Sequence, residues 1–249
     1  MFGKFSSSFL AVLTISGFAY AQEATSQGNS TNFILIDYGL NLSADGDAND
    51  TATHSADNPL RLEGGVIDDS GGFIGIGIGH RYANNIGAVL RYETGELESG
   101  TLNIEIFPNN NQSITSANVP NGFTIDVDSF FLEGAYFMPY SEQIELWGLV
   151  GLGQSEVTTS TASMTLNGGS DLVLAVCSSS EDNTATRFGV GATYYLSQTQ
   201  GFYGGLTMSN YGDASFKAED GGECTNTDDT MTFDDLEATD LRIGYFRSF

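Results

Sequence analysis

Charged side chains recur at alternate positions inside segments that are otherwise apolar. In 33–43, Asp37 points away from the face shared by its neighbours Ile36 and Tyr38. Nine residues share this setting: Asp37, Arg81, Arg91, Glu93, Glu133, Glu145, Arg187, Asp240 and Arg242. This set is nearly balanced between arginines and carboxylates, whereas the whole chain has a formal net charge of −24. Because a buried charge is costly unless it is paired, the pattern predicts an interior ion-pair network.

A second candidate chemistry is cation binding by the acidic segment 45–50. Its opening Asp45-x-Asp47-x-Asn49 matches the start of a calcium-binding loop. Asp50 stands where that loop needs glycine, and Ala56 stands where it needs glutamate, so an EF-hand is excluded. Loose binding of Ca²⁺ or Mg²⁺ by Asp45, Asp47 and Asn49 is a hypothesis. The simpler interpretation is that these acids keep a surface solvated.

The sequence offers little for catalysis or for nucleic acid. His54 and His80 are the only histidines, and serines and threonines near His54 are too common to indicate a catalytic triad. The glycines of 75–79 lack the GxGxxG spacing of a dinucleotide site. A strongly acidic chain is also poorly suited to phosphate backbones. We therefore expect no enzyme, no catalytic residues, no cofactor apart from the loop cation, and no nucleic-acid partner.

Alternation with a period of two residues defines the elements that must position the charges. It occurs in eight segments of about ten residues, the length expected for transmembrane strands. The segments are 33–43, 73–82, 86–95, 129–138, 144–153, 187–196, 201–209 and 239–249. The predicted fold is all-β: an eight-stranded antiparallel transmembrane up-and-down β-barrel with short periplasmic turns and long extracellular loops.

The connections between these segments alternate in length. Short turns are predicted at 83–85, 139–143 and 197–200, and long loops at 44–72, 96–128, 154–186 and 210–238. Within the loops, 101–107 and 123–130 alternate and are expected to extend their strands, while 164–176 indicates a hairpin with a turn at Asn167-Gly168. Aromatic residues gather at the turn ends, as in an interfacial girdle: Tyr82, Tyr136, Tyr140, Tyr194, Phe202 and Phe249.

The N-terminal residues have the features of a secretory leader. Lys4 precedes an apolar run too short to span a bilayer as a helix, and Ala19-Tyr20-Ala21 has the small-x-small form of a cleavage site. The predicted organisation is a signal peptide at 1–21, a short tail at 22–31 and the barrel domain at 32–249. The expected location is the outer membrane of a Gram-negative bacterium, with both termini in the periplasm.

The interior of the predicted barrel carries bulky residues as well as charges. Phe131, Trp147, Leu149 and Tyr195 share the inward phase, and eight strands enclose a lumen that side chains can fill. A plugged scaffold is therefore favoured over an open pore. Inward glycines leave room for arginine side chains or for water: Gly75, Gly77, Gly79, Gly151, Gly153, Gly189 and Gly191. A water-soluble barrel, with the same alternation turned inside out, is the alternative fold.

The two cysteines fall in different long loops on the same side of the predicted membrane. Cys177 belongs to the third long loop and Cys224 to the fourth. Since an exported chain passes through an oxidising compartment, we predict a disulfide between them. Two free thiols are the alternative.

The C-terminal segment Leu241-Arg-Ile-Gly-Tyr-Phe-Arg-Ser-Phe249 resembles the assembly signal of small outer-membrane barrels of the OmpA/OmpX type, a porin-like family. The matching residues are Leu241, Ile243, Gly244, Tyr245 and Phe249, whereas Arg247 departs from the pattern. The resemblance covers about residues 32–249. It implies contact with membrane lipid and lipopolysaccharide, and assembly by the barrel-assembly machinery.

Members of this family serve as structural proteins, adhesins, evasion factors, small channels or, rarely, lipid-modifying enzymes, and the fold alone does not choose among them. We expect a monomeric structural or surface-interaction protein of the adhesion type. It would act through its acidic extracellular loops on an extracellular or host partner. A small-solute channel is the alternative.

Overall fold

The computed structural model describes residues 30–52, 60–106, 115–119, 124–159, 162–166, 172–177, 179–218 and 230–249. Side chains are described for 30–44, 71–97, 124–159, 179–215 and 234–249. These ranges contain twelve strands: β1 (Thr31–Ala52), β2 (Leu60–Arg81), β3 (Ile86–Ile106), β4 (Thr115–Val119), β5 (Thr124–Pro139), β6 (Ile144–Thr159), β7 (Ala162–Leu166), β8 (Leu172–Cys177), β9 (Ser179–Ser197), β10 (Gln200–Asn210), β11 (Ala214–Ala218) and β12 (Thr230–Ser248). No helix within these ranges could cross a bilayer.

Eight of the strands close into a barrel. They lie in the order β1, β2, β3, β5, β6, β9, β10 and β12, with each neighbouring pair antiparallel. The barrel closes where β12 pairs with β1, so that Ile36 lies opposite Tyr245 on one side and opposite Ile76 on the other. Each of the eight segments predicted from the sequence falls on one of these strands. The predicted all-β, eight-stranded antiparallel barrel is therefore confirmed.

The short turns and both ends of the described barrel lie together. The connections at 82–85, 140–143 and 198–199 are as short as predicted. The backbone N–H of Phe249 donates to the carbonyl of Asn32 (2.9 Å), and that of Ser248 donates to the carbonyl of Thr199 (2.7 Å). We call this the turn end of the barrel and the opposite end the loop end.

The predicted limits between strands and long loops are wrong, because the strands are longer. The sequence placed the end of the first strand at residue 43 and the start of the second at 73. In the structure β1 runs to Ala52 and β2 starts at Leu60, with Asp50 opposite Leu62. Beyond residue 43 the chain has few apolar residues, so its extended backbone leaves no hydrophobic alternation for sequence analysis to find.

Four short strands add to the loop end. β4 pairs with β3, and β7 and β8 form a hairpin in which Leu166 lies opposite Leu172. This confirms the hairpin predicted for 164–176, although its turn at 167–171 lies outside the described residues. β11 joins β8 to β12. The predicted extensions at 101–107 and 123–130 are confirmed within the described residues, since β3 runs to Ile106 and β5 starts at Thr124. Residues 102–106 of β3, however, pair with β4 instead of β5.

The outer face of the turn-end half of the barrel is apolar. Leu132 is 65% exposed and Ile76 is 58% exposed, and every barrel strand contributes similar residues. The interior on the same strands holds arginine and carboxylate side chains that are almost fully buried. The strands are thus amphipathic in the sense opposite to that of a water-soluble barrel.

Candidate functional site

Three arginines form a layer across the middle of the lumen. Arg91 comes from β3, Arg187 from β9 and Arg242 from β12, and each is buried. Four carboxylates contact them, and we call the seven residues the arginine layer: Asp37, Arg91, Glu93, Glu133, Arg187, Asp240 and Arg242. Seven of the nine residues that the sequence assigned to an interior ion network are brought together here.

Asp37 and Glu133 each accept hydrogen bonds from two arginines of the layer. Asp37 accepts from Arg91, from Nη1 of Arg242 (3.0 Å) and from the hydroxyl of Tyr203. Glu133 Oε1 accepts from Nε of Arg91 (2.9 Å) and from Nη1 of Arg187 (3.3 Å). Three of these bonds join strands that are not neighbours in the barrel wall: Asp37 to Arg91, Asp37 to Tyr203 and Glu133 to Arg187. The layer therefore braces the barrel across its lumen.

Glu93 contacts two arginines of the layer, as Asp37 and Glu133 do. It accepts from Arg187 and from the hydroxyl of Tyr211 (2.8 Å), and its second oxygen lies 2.6 Å from Nη2 of Arg242. Among the described side chains, Asp240 forms an ion pair only with Arg242, at 3.1 Å through Oδ2, and its buried Oδ1 has no hydrogen-bond partner there. The layer contains one carboxylate more than its guanidinium groups can balance, and Asp240 is the least engaged of the four.

The remaining two residues of the predicted network form a separate pair near the turn end. Nη2 of Arg81 lies 2.8 Å from Oε2 of Glu145. The hydroxyl of Tyr195 donates to the same carboxylate (2.8 Å), and the Arg81 guanidinium lies 4.8 Å from the centre of the Phe137 ring. This cluster is less buried than the arginine layer.

The inward glycines accommodate side chains from neighbouring strands. A Cβ on Gly75 would lie 2.7 Å from a carboxylate oxygen of Asp37, and one on Gly191 would lie 2.3 Å from the ring of Trp147. The sequence left open whether these positions held side chains or water. At these two sites the structure shows side chains, so glycine is the residue that lets a narrow lumen hold bulky groups.

On the loop-end side of the arginine layer the lumen is filled by apolar side chains. We call them the apolar cap: Phe73, Leu97, Ile125, Val127, Phe131, Val157, Tyr211 and Leu236. All are 0% or 1% exposed. Tyr211 follows β10, stacks on Phe73 with ring centres 5.4 Å apart, and donates to Glu93. Sequence analysis missed its role, because residue 211 lies in a segment predicted as loop, where no periodicity indicated an inward side chain.

The outer face of the loop end is acidic. Asp128, Glu156 and Asp182 are exposed and lie directly opposite one another across β5, β6 and β9, and we call them the acidic row. Glu96 and Asp126 form a similar cross-strand pair beside it. Among the described side chains, no lysine or arginine lies on this part of the surface.

Other predicted site residues lie partly or wholly outside the described ranges. The backbone of Asp45, Asp47 and Asn49 runs within β1, but their side chains are not described. The described side chains contain no cluster suited to a metal ion. Cys177 ends β8, with only its backbone described, and Cys224 lies outside, so the disulfide stays a prediction. The same holds for the leader at 1–21.

The fold is shared with bacterial outer-membrane barrels. A major outer membrane protein from Thermus thermophilus matches with a TM-score of 0.50 and 12% identity, covering 88% of this chain and 99% of its own. Neisserial surface protein A matches with a TM-score of 0.48 and 13% identity, over 89% and 99%. The outer membrane protease OmpT from Escherichia coli matches with 0.44 and 12%, over 90% and 98%. No protein-family model and no curated protein sequence matches the chain.

The geometry of the arginine layer makes a quantitative prediction about its carboxylates. Glu93→Gln removes the charged partner that Arg187 and Arg242 share, and breaking a buried ion pair typically costs about 3–5 kcal/mol in the free energy of unfolding. Asp240→Asn removes the excess carboxylate and is expected to cost about 1 kcal/mol or less. Urea titration of the barrel folded in lipid vesicles measures both. If Asp240→Asn destabilised the barrel as much as Glu93→Gln, this charge assignment would be wrong.

Proposed function

We propose that the chain is an integral outer-membrane protein whose sealed barrel displays an acidic face outside the cell. The observation that carries this proposal is a reversal of alternation along single strands. On β5 the outward residues Phe130 and Leu132 are apolar, while the outward residues Asp126 and Asp128, nearer the loop end, are acidic. The inward side chains change in the opposite direction, from Glu133 to the apolar cap. Such a reversal is expected where one strand passes from hydrocarbon into water.

The height of the apolar band fits a membrane. On β5 it extends from Phe130 to Met138. Eight residue steps of about 3.3 Å, at a tilt of about 40°, give a rise of roughly 20 Å, close to the ~25 Å band of known barrels. Tyr136 and Tyr140 are exposed at its turn-end edge, where aromatic residues anchor barrels at the interface.

The orientation follows from the lengths of the connections. Barrels of this kind place short turns in the periplasm and long loops outside. We therefore place the turn end, with both ends of the barrel, in the periplasm, and the acidic row at the cell surface. Residues 1–21 serve as the export signal in this proposal, and 241–249 as the assembly signal. On β12, Leu241 and Ile243 face outward and are exposed, as lipid-facing residues of a terminal strand would be.

A sealed scaffold is favoured over a channel because two barriers lie in series. The arginine layer fills the middle of the lumen, and the apolar cap fills the loop-end half above it. Tyr211 ties the two together through its bond to Glu93. A solute would have to displace charged bonds and a packed apolar core in turn.

We further propose that the surface role is binding of cationic partners. Like charges placed directly opposite across strands are destabilising, and the acidic row keeps three of them in register. Its hydroxyl contacts are few: Tyr92 donates to Asp128 (2.7 Å) and Ser180 donates to Glu156 (2.8 Å). A positively charged partner would relieve this repulsion. This role requires no catalytic residues, and we propose none.

The membrane proposal is tested by two arginine substitutions on the same outward face of β5. Leu132→Arg places a charge in the apolar band and is expected to cost about 2–4 kcal/mol of folding free energy in vesicles. Asp128→Arg lies beyond the band and is expected to be close to neutral. Urea titration monitored by heat-modifiable migration on SDS gels measures both. Equal effects, or a mature chain that stays soluble and folded without detergent, would contradict the proposal.

Because the lumen is sealed in this proposal, we expect the protein to conduct no ions across a bilayer. Purified barrel inserted into planar bilayers is expected to show no stepwise openings above the baseline of a detergent-only control. Insertion is verified by protease digestion of the same preparation in vesicles. Reproducible open steps would instead support the small-solute channel.

Neutralising the acidic row should weaken binding of cations and stabilise the barrel. In the triple variant Asp128→Asn, Glu156→Gln, Asp182→Asn, we expect several-fold weaker binding of an oligolysine peptide to barrels in zwitterionic vesicles, with a smaller salt dependence. The free energy of unfolding should rise by about 0.2–1 kcal/mol as the repulsion is removed. The matched control changes Thr94→Ser and Thr184→Ser on the same face. Unchanged peptide binding would remove the support for the surface role.

A further inference from the structure

A cavity of about 130 Å³ lies between the arginine layer and the turn end. Its walls are largely apolar and include Leu35, Val89, Ala135 and Leu149. Thr31, Gln198 and Ser248 line it at the turn end, so it approaches the solution on that side. The arginine layer and the apolar cap close the other side. The lumen is therefore a blind pocket with an apolar body and a charged floor.

The charges around this cavity are distributed unequally. All four interior arginines contribute to its lining, but of the five interior carboxylates only Glu133 and Glu145 do. Asp37, Glu93 and Asp240 bind the guanidinium groups without lining the cavity. The pocket thus presents more guanidinium than carboxylate groups, and an anionic end of a ligand is favoured at its floor.

One wall of the cavity is rigid. The ring of Trp147 packs against the backbone of two glycines, since a Cβ on Gly191 would lie 2.3 Å from the ring and one on Gly205 would lie 2.7 Å from it. Tyr203 meets the same ring edge to face, with centres 6.3 Å apart. A flat apolar surface held in this way is preorganised to receive another ring.

We propose that this cavity binds a small aromatic monocarboxylate of about the size of benzoate, with its ring beside Trp147 and its carboxylate directed toward the arginine layer. The volume limits the ligand to a single ring, because an apolar cavity of about 150 Å³ accommodates benzene. The unequal lining sets the charge. The site is separate from the acidic row and does not depend on the surface role proposed above.

Trp147 is the only tryptophan in the chain, so its fluorescence reports directly on the cavity. The experiment titrates the folded barrel in nanodiscs with 4-bromobenzoate, whose bromine quenches a nearby indole, and with the neutral isostere 4-bromobenzamide. We expect saturable quenching by the carboxylate, with about tenfold higher affinity than for the amide, because a carboxylate can bind a guanidinium group bidentately and a neutral amide cannot.

A matched pair of substitutions on β5 tests the location. Ala135→Phe fills the cavity from its wall and is expected to weaken 4-bromobenzoate binding at least about tenfold. Gly134→Ala points outward, where a Cβ meets only a carbonyl oxygen at 4.0 Å, and should leave binding unchanged. Heat-modifiability confirms that each variant is folded.

Two results would overturn the proposal. One is quenching that is linear in ligand concentration or equal for acid and amide, as expected for partition into lipid. The other is saturable quenching that a folded Ala135→Phe variant leaves intact. If Ala135→Phe does not fold, the comparison of 4-bromobenzoate with 4-bromobenzamide in the unmodified barrel still tests whether the cavity prefers a carboxylate.

Discussion

The burial of three guanidinium groups inside a narrow barrel is the constraint on which the rest of the structure depends. Each needs carboxylate partners within hydrogen-bonding distance, because an unpaired buried charge is strongly destabilising. The partners come from β1, β3, β5 and β12, so the network ties together distant parts of the wall. Each long side chain also needs space, which the neighbouring strands provide by carrying glycine. The pairing of the charges, the positions of the glycines and the closure of the barrel therefore depend on one another.

The interior of the barrel has two parts along its axis, one that contains the arginine layer and one that consists of the apolar cap. Where the outer face is apolar, the interior holds paired charges, glycines that make room for them, and the cavity with its largely apolar walls. Where the outer face is acidic, the interior is the apolar cap, which excludes water as the core of a soluble protein does. Tyr211 belongs to both, since its ring packs against Phe73 and its hydroxyl bonds to Glu93. On β5, β6 and β9 the strand pairing continues across this boundary without a register shift.

Sequence analysis could find the strands and their faces but not the partners across the lumen. Alternation in 129–138 identified Glu133 as inward, because a period of two is a local property of the chain. That Glu133 meets Arg91 and Arg187, whereas Glu145 meets Arg81, depends on barrel diameter and strand register, which no single segment encodes. Alternation in 123–130 did indicate that β5 extends beyond the apolar band. It formed a segment separate from 129–138 because the apolar residues change from the outer to the inner face near residue 128.

The order of the two interiors along the barrel has a consequence for what the protein can do. The apolar cap and the arginine layer separate the acidic outer face from the cavity at the turn end, and neither cavity wall nor floor includes a residue of the acidic row. Binding at the surface therefore has no polar path to the cavity. A ligand in the cavity meets guanidinium groups already held by carboxylates, so it can bind without rearranging the bonds that brace the barrel. Binding at the proposed surface site would thus be independent of binding in the lumen.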